Sequence, residues 1–192
     1  MGMGMATVQS FVLTWTAMTA AMMAPSSLPF AVSFARRTKR WQLPTLVLVS
    51  AYLTVWGAFG VGVYYGSMAI SLPWPAGVVA GVAIAFVGLY AFTPLMRFGQ
   101  ARCIAMCRRR EPIQASELRA GLTEGVTYGL SCVACSSGVM LPLVVLGMSD
   151  LVLMLAGSAL ILLYKVAGRW PRRLDAGFSV AFVLAGIWLV AV

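Results

Sequence analysis

The fold class of this chain is decided by GLTEGVTYGLSCVACSSGVMLPLVVLGM, the stretch that covers residues 121–148. It is long and apolar enough to cross a membrane, since a spanning helix needs about 20 predominantly apolar residues. The stretch also carries Glu124, Tyr128, Cys132, Cys135 and Met140. Polar and metal-ligating side chains at membrane depth are costly unless they face a partner, a cavity or a metal. We therefore expect a membrane helix that also serves a function.

The composition extends this expectation to the whole chain. Of its 192 residues, 61% are hydrophobic and only 10% are charged. Soluble domains are about one-quarter charged, so the composition predicts an integral membrane protein. The sequence contains four cysteines and no histidine. An imidazole metal site is therefore excluded, while thiolate and thioether ligands remain.

Apolar stretches of spanning length recur about six times along the chain. They cover residues 7–34, 43–65, 76–96, 121–148, 151–164 and 176–192, and the last two are short for a span. We predict an all-α membrane protein, a bundle of about six transmembrane helices, with residues 1–192 forming a single integral membrane domain.

The basic residues predict the orientation of these spans. All 14 lysines and arginines fall after the first, third or fifth span, within residues 36–40, 97–119 and 165–173. Cytoplasmic loops carry an excess of lysine and arginine. The pattern predicts three cytoplasmic loops and both termini outside.

Two cysteines of the opening stretch are the first candidate metal ligands. Cys132 and Cys135 are three residues apart, so on a helix they lie about 60° apart on one face and their sulfurs could share one metal ion. Glu124 and Tyr128 follow the same stripe towards the cytoplasmic end. The alternative interpretation is that these cysteines are small buried hydrophobic residues.

Methionines of the first span add thioether candidates. Met18 and Met22 are four residues apart and share a helix face, at roughly the predicted depth of the two cysteines. Thioethers together with thiolates select Cu(I). Met23 and Met140 are second choices. Ordinary packing of flexible apolar side chains is the alternative.

A second cysteine pair follows the third span. Cys103 and Cys107 are four residues apart, and a helix would place both on one face. Neighbouring arginines would favour the reactive or ligating thiolate. The alternative is two unreactive cysteines in the reducing cytoplasm.

The sequence lacks the residues for most other functions. A catalytic triad needs a histidine, and neither a phosphate-binding glycine loop nor a pair of carboxylates at one site is present. We do not expect an enzyme. The basic loops contain few aromatic residues, which favours contact with anionic lipid over nucleic-acid binding.

Several motifs together resemble a known family. The first span contains W-x-x-M-x-x-A-M-M-x-P from Trp15 to Pro25, and the second contains Tyr52-x-x-x-Trp56. C-x-x-x-C-R runs from Cys103 to Arg108, and G-x-x-C-x-x-C begins at Gly129, with Met140 five residues after it. In this order, over about residues 15–165, the motifs resemble the bacterial integral membrane family described as predicted metal-binding proteins.

The resemblance implies a six-helix protein of the bacterial inner membrane that holds a metal, with copper favoured, on cysteines and methionines of spans one and four. The chain departs from the family pattern at four positions. A cysteine and a tryptophan become Ser136 and Ser137, a histidine becomes Tyr128, and a glutamate becomes Tyr164. The harder ligands are lost and the soft ones retained. The site has therefore either narrowed to Cu(I) or been lost, leaving a scaffold.

Three functions remain open at this point. The first is a Cu(I)-binding accessory or delivery factor for a membrane copper enzyme. The second is a purely structural subunit of a larger membrane complex, with a decayed metal site. The third is a small metal transporter, although the chain lacks the interrupted helix pair and midplane charges typical of transporters. For the first two we expect the lipid bilayer and other integral membrane subunits as partners.

Overall fold

The computed structural model describes residues 8–69, 76–113 and 116–146, and in the C-terminal segment residues 159, 177, 179–180, 183–184 and 186–188. Every regular element in these residues is an α-helix, which confirms the predicted all-α class. The helices are α1 (Val8–Ala35), α2 (Gln42–Ala69), α3 (Ala76–Ala91), α4 (Pro94–Arg108) and α5 (Glu117–Leu146). Most of the predicted fifth and sixth spans lies outside the described residues.

Two described helices are long and apolar enough to cross a membrane, namely Val8–Ala35 and Gln42–Gly66. A third candidate is the pair Gly81–Ala91 and Pro94–Arg108, which meet at a bend of 63°. Within the described residues the structure therefore supports two or three spans, where the sequence predicted about six for the whole chain.

The predicted third span, residues 76–96, is divided between two helices. Pro94 has no amide hydrogen and so cannot continue the hydrogen-bond ladder of α3. The Thr93 hydroxyl oxygen accepts a hydrogen bond from the Met96 amide at 3.4 Å, as an N-cap does, and Pro94 takes the favoured first helical position. The bend therefore has a local cause in the sequence.

The chain forms two compact units. The first contains residues 1–71 and 105–133, and the second contains residues 72–104 and 134–192. Helix α5 passes from the first unit to the second.

In the first unit, α1 runs antiparallel to α2. Phe11 packs on Tyr64 with ring centroids 5.2 Å apart, and Trp15 packs on Trp56 at 6.5 Å. A Cβ atom on Gly60 would overlap the Trp15 indole, so only glycine at this position lets the indole lie on α2. The Trp15 Nε1–H then donates to the Trp56 carbonyl oxygen at 3.1 Å.

Helix α5 runs parallel to α2 and touches its backbone. A Cβ on Gly121 would lie 2.6 Å from the Pro44 carbonyl oxygen, and one on Gly125 would lie 2.5 Å from that of Leu48. One turn further, Gly129 faces Val55. Small residues four apart let two helices approach closely, a recurrent device of membrane helix pairs.

Parallel packing brings the N-terminal ends of α2 and α5 to the same end of the first unit. There the Glu117 carboxylate accepts hydrogen bonds from the backbone amides of Lys39 and Arg40, at 2.8 and 3.4 Å. The basic segment 36–40 and the first turn of α5, which carries Arg119, therefore lie at one end of this unit.

In the second unit, α3 packs against the later part of α5 and the C-terminal segment. The Tyr90 hydroxyl donates to the Ala134 carbonyl oxygen at 2.6 Å and accepts from Ser137 at 2.9 Å. Gly88 packs against the backbone of Ser179. These contacts anchor α3 on both neighbours.

Candidate metal centre

Cys132 is one of the fully enclosed predicted ligands. It is fully buried on α5, one turn beyond the Gly129 contact with α2. Its Sγ lies 3.5 Å from the hydroxyl oxygen of Tyr52, which is also buried. The close approach of α5 to α2 therefore places the sulfur beside a polar group inside the first unit.

The methionines of α1 lie in the same unit. Met23 is fully buried, Met22 is buried and Met18 is half-buried. The Met23 sulfur lies 3.8 Å from the Ser26 hydroxyl, which also donates to the Met23 carbonyl oxygen at 3.0 Å. The thioethers predicted from the sequence are thus largely shielded from solvent.

The level of Met22 follows from one hydrogen bond between α1 and α5. The Tyr128 hydroxyl donates to the Ser26 carbonyl oxygen at 3.4 Å. Met22 lies one turn before Ser26 on α1, and Cys132 lies one turn after Tyr128 on α5. Because α1 is antiparallel to α5, both steps lead in the same direction. Met22 and Cys132 therefore lie at the same level of the first unit.

Two buried polar atoms near this level have no hydrogen-bond partner in the described part of the chain. They are the Thr19 hydroxyl oxygen and the Trp56 indole nitrogen, and both side chains are almost fully buried. A buried polar atom without a partner costs about 1–3 kcal/mol. Within the described residues, the hydrogen-bonding capacity of these two atoms is therefore unused.

Aromatic rings close the site towards the basic end. Tyr128 stacks on Phe30 with ring centroids 4.0 Å apart and planes 12° apart. Tyr52 packs against the other side of the cluster, at 5.8 Å from Tyr128. Tyr128, which the family pattern has as histidine, thus acts here as a packing residue bonded to the backbone of α1.

Glu124 lies one turn further towards the basic end and is bound in an ion pair. The two terminal nitrogens of Arg37 donate to its two carboxylate oxygens, at 3.2 and 2.5 Å. Both side chains are shielded, at 6% and 13% exposure. Arg109, which is 60% exposed, approaches the same carboxylate at 3.8 Å. Both carboxylate oxygens of Glu124 are therefore already engaged in the ion pair.

The remaining candidates of the opening stretch lie in the second unit. Cys135 is half-buried, with its Sγ 3.5 Å from the Ser136 hydroxyl, and Met140 is fully buried. Ser137 donates to Tyr90. The serine that replaces a family residue here has therefore taken a packing role against α3.

Cys103 and Cys107 both lie on α4, so the helical condition for a shared face is met. Cys103 is buried and Cys107 is half-buried. Among the described residues, no group of three or more histidine, cysteine, aspartate or glutamate side chains could hold a metal.

A family model matches nearly the whole of this arrangement. The model, PpoB2, is described as a copper chaperone and covers residues 12–189. The chain belongs to this copper-chaperone family. Comparisons with curated proteins and with solved structures found no match.

Membership of the copper-chaperone family decides two of the sequence predictions. It confirms the predicted association with copper, and the sulfur donors fit that metal. It also confirms that the protein is not a catalytic enzyme. The family match therefore supports the copper-related part of the resemblance predicted from the sequence.

Sequence reasoning missed two residues around the centre. Tyr52 had a signal, a tyrosine one turn before Trp56 in mid-span, but nothing connected it to Cys132. Arg37 stood among other basic residues of a loop. Only its ion pair with Glu124 of α5 distinguishes Arg37 from the neighbouring basic residues.

Proposed function

We propose that this chain is an integral membrane copper chaperone that holds Cu(I) on sulfur ligands and delivers it to a partner in the bacterial inner membrane. The copper-chaperone family match is the observation that carries the proposal. The length and apolar character of α1 and α2 support a place in the membrane.

Cys132 is the proposed primary ligand because it is the fully buried thiol, and Met22 is the proposed thioether because it lies at the same level. Cys135 is the proposed second thiol, one turn further along the same helix. Met18, Met23 and Met140 complete the candidate set. Copper is the cargo of this site.

The chemistry of the donor set favours Cu(I). The proposed ligands are thiols and thioethers, the soft ligands that select Cu(I). The Glu124 carboxylate, a harder ligand, is not available to the metal, because Arg37 already binds both of its oxygens.

The proposed topology has about six spans, both termini outside and the basic loops in the cytoplasm. The parallel arrangement of α2 and α5 supports it. Two parallel spanning helices begin on the same side of the membrane, so the chain between them must cross back to the side on which α2 began. The contact between segment 36–40 and the first turn of α5 at one end also agrees with a common cytoplasmic face.

We further propose that the chain acts as an accessory factor or auxiliary subunit beside a membrane copper enzyme. Its sulfur site supports storage and transfer of copper, and its family is not one of catalysts. Gentle extraction followed by native mass measurement tests the association. A chain that runs alone at 20.5 kDa would count against a subunit role.

The metal proposal is tested by loading purified protein with Cu(I) under anaerobic conditions and measuring bound copper. We expect stoichiometric copper in the wild type and loss of it in Cys132→Ser/Cys135→Ser. The matched control is Cys103→Ser/Cys107→Ser, which removes the same number of thiols and should keep the copper. Equal copper in the wild type and the Cys132/Cys135 variant would overturn the proposed site and favour a structural role.

A further inference from the structure

A row of exposed apolar side chains runs along α3, crosses the bend and continues on α4. Its members are three or four residues apart and are exposed: Val82, Phe86, Leu89, Phe92, Leu95 and Phe98. Within each helix, side chains at this spacing share one face. Phe92 lies in the turn between the helices, so exposed apolar side chains occur on both helices up to the bend.

The row ends beside two exposed arginines. Arg97 and Arg102 lie on the exposed side of α4, and the Arg102 guanidinium stands 5.2 Å above the ring of Phe98. Helix α4 contains no acidic residue, and neither arginine takes part in an ion pair with the described residues. Their charges are therefore open to an external anion.

The opposite face of the same part of α4 is buried. Met96, Gly99 and Cys103, at positions i, i+3 and i+7, face the protein. Helix α4 is thus amphipathic, with a protein-facing side of small and sulfur-containing residues and an outer side that combines arginine with leucine and phenylalanine. Arginine, leucine and phenylalanine are also the residue types that interfacial membrane helices expose to the bilayer surface, although there the arginines form a separate face.

The bend gives α4 a suitable orientation. If α3 crosses the bilayer, a helix that departs from it by 63° lies closer to the membrane plane than to the membrane normal. Apolar residues of the row can then stay in contact with acyl chains while the arginines extend to the phosphate level.

We infer that Arg97 and Arg102 bind the anionic headgroups of the cytoplasmic leaflet and that α4 is an interfacial anchor. This inference rests on the proposed membrane location, but it is independent of copper. The occupant is an anionic bilayer surface because the arginines stand beside exposed apolar side chains that continue onto α3, which belongs to the third candidate span. A soluble anion would account for the arginines but not for the row.

The test uses the full-length protein in lipid nanodiscs, with and without anionic phosphatidylglycerol in phosphatidylcholine. Hydrogen exchange of the α4 backbone amides is measured in both. We expect slower exchange in the anionic discs, by roughly fivefold for each arginine that binds. Arg97→Gln/Arg102→Gln should remove the difference, and Arg97→Lys/Arg102→Lys should retain most of it.

Lys39→Gln/Arg40→Gln is the matched control, because it removes the same charge from the turn between α1 and α2. It should leave the lipid-dependent protection of α4 unchanged. Inorganic phosphate added to neutral discs should not reproduce the protection. Identical α4 exchange in the two lipids, or full protection in the glutamine variant, would overturn the inference.

Two further measurements separate this inference from the copper proposal. The first is the copper content of the protein in the same discs. If no copper is bound but α4 hydrogen exchange still depends on the lipid, the chaperone site is refuted and the anchor is not. Flotation with lipid vesicles tests membrane insertion. A chain that does not float would refute both the membrane location and the anchor.

Discussion

The hydroxyl oxygen of Tyr52 lies 3.5 Å from the sulfur of Cys132, and both side chains are buried. When the sulfur is a thiolate that carries copper, the hydroxyl becomes the donor of this contact. Groups that hydrogen-bond to a metal ligand orient it and adjust its affinity. Tyr52 is therefore a positioning residue of the proposed centre.

Replacing Tyr52 with phenylalanine should weaken Cu(I) binding while the chain remains folded. A hydrogen bond to a charged group contributes about 1.5–3 kcal/mol, so affinity should fall by roughly one to two powers of ten. Competition with a chromogenic Cu(I) chelator measures the change. Tyr64→Phe, on the same helix but next to Phe11, is the control and should bind copper as the wild type does. An unchanged affinity in Tyr52→Phe would show that the hydroxyl does not act on the bound metal.

Met22→Leu should lower Cu(I) affinity with little effect on stability. Leucine and methionine have similar volumes, and their exchange in a core usually costs less than about 1.5 kcal/mol. The lost thioether is then the main change. Copper affinity and thermal unfolding are measured on the same preparation, with Met96→Leu in the second unit as the control. Equal affinities of the two variants would remove Met22 from the ligand set.

Gly125→Ala should destabilise the first unit. The added Cβ would lie 2.5 Å from the Leu48 carbonyl oxygen, which is backbone, so α5 has to move away from α2. Overpacking of this kind costs about 1–3 kcal/mol. Thermal unfolding in detergent measures the loss.

Gly62→Ala is the control for the glycine experiment, because nothing lies within 4 Å of the added atom. Alanine is the better helix former by about 1 kcal/mol, so this variant should be at least as stable as the wild type. A similar loss of stability in both variants would contradict this explanation, because the effect would then not depend on the contact between α5 and α2.

Breaking the Arg37–Glu124 pair should be more damaging than removing both partners. Arg37→Gln or Glu124→Gln leaves a shielded charge uncompensated, which costs about 3–5 kcal/mol, whereas Arg37→Gln/Glu124→Gln leaves none. Unfolding of the two single variants and the double variant measures the coupling. Arg109→Gln should have little effect, since Arg109 is 60% exposed and only approaches the carboxylate. Additive losses in the double variant would contradict an ion pair that acts as a unit.

The first two helices follow closely from the sequence. The predicted span 7–34 corresponds to α1 (Val8–Ala35), and the predicted span 43–65 corresponds to α2 (Gln42–Ala69). The bilayer core offers no water to the backbone, so a long apolar segment satisfies its backbone hydrogen bonds within a helix. The third predicted span was less accurate, because the apolar pattern continues through the break that Thr93 and Pro94 create.

Candidate residues were easier to predict than their arrangement. The absence of histidine and the retention of cysteine and methionine indicated soft-metal chemistry, and the copper-chaperone family agrees. The sequence placed Glu124 on the same stripe, towards the cytoplasmic end. It did not predict the ion pair with Arg37, since Arg37 is one of four basic residues within segment 36–40.

The sequence by itself determined the helical class, the first two helices and the inventory of soft ligands, because composition and apolar run length act locally along the chain. Only the tertiary structure decided that α5 lies parallel to α2 on Gly121, Gly125 and Gly129, and that Cys132 consequently faces Tyr52. These contacts join residues about 80 positions apart, and they depend on how closely two backbones approach. The residue pattern of a single helix therefore does not predict these contacts.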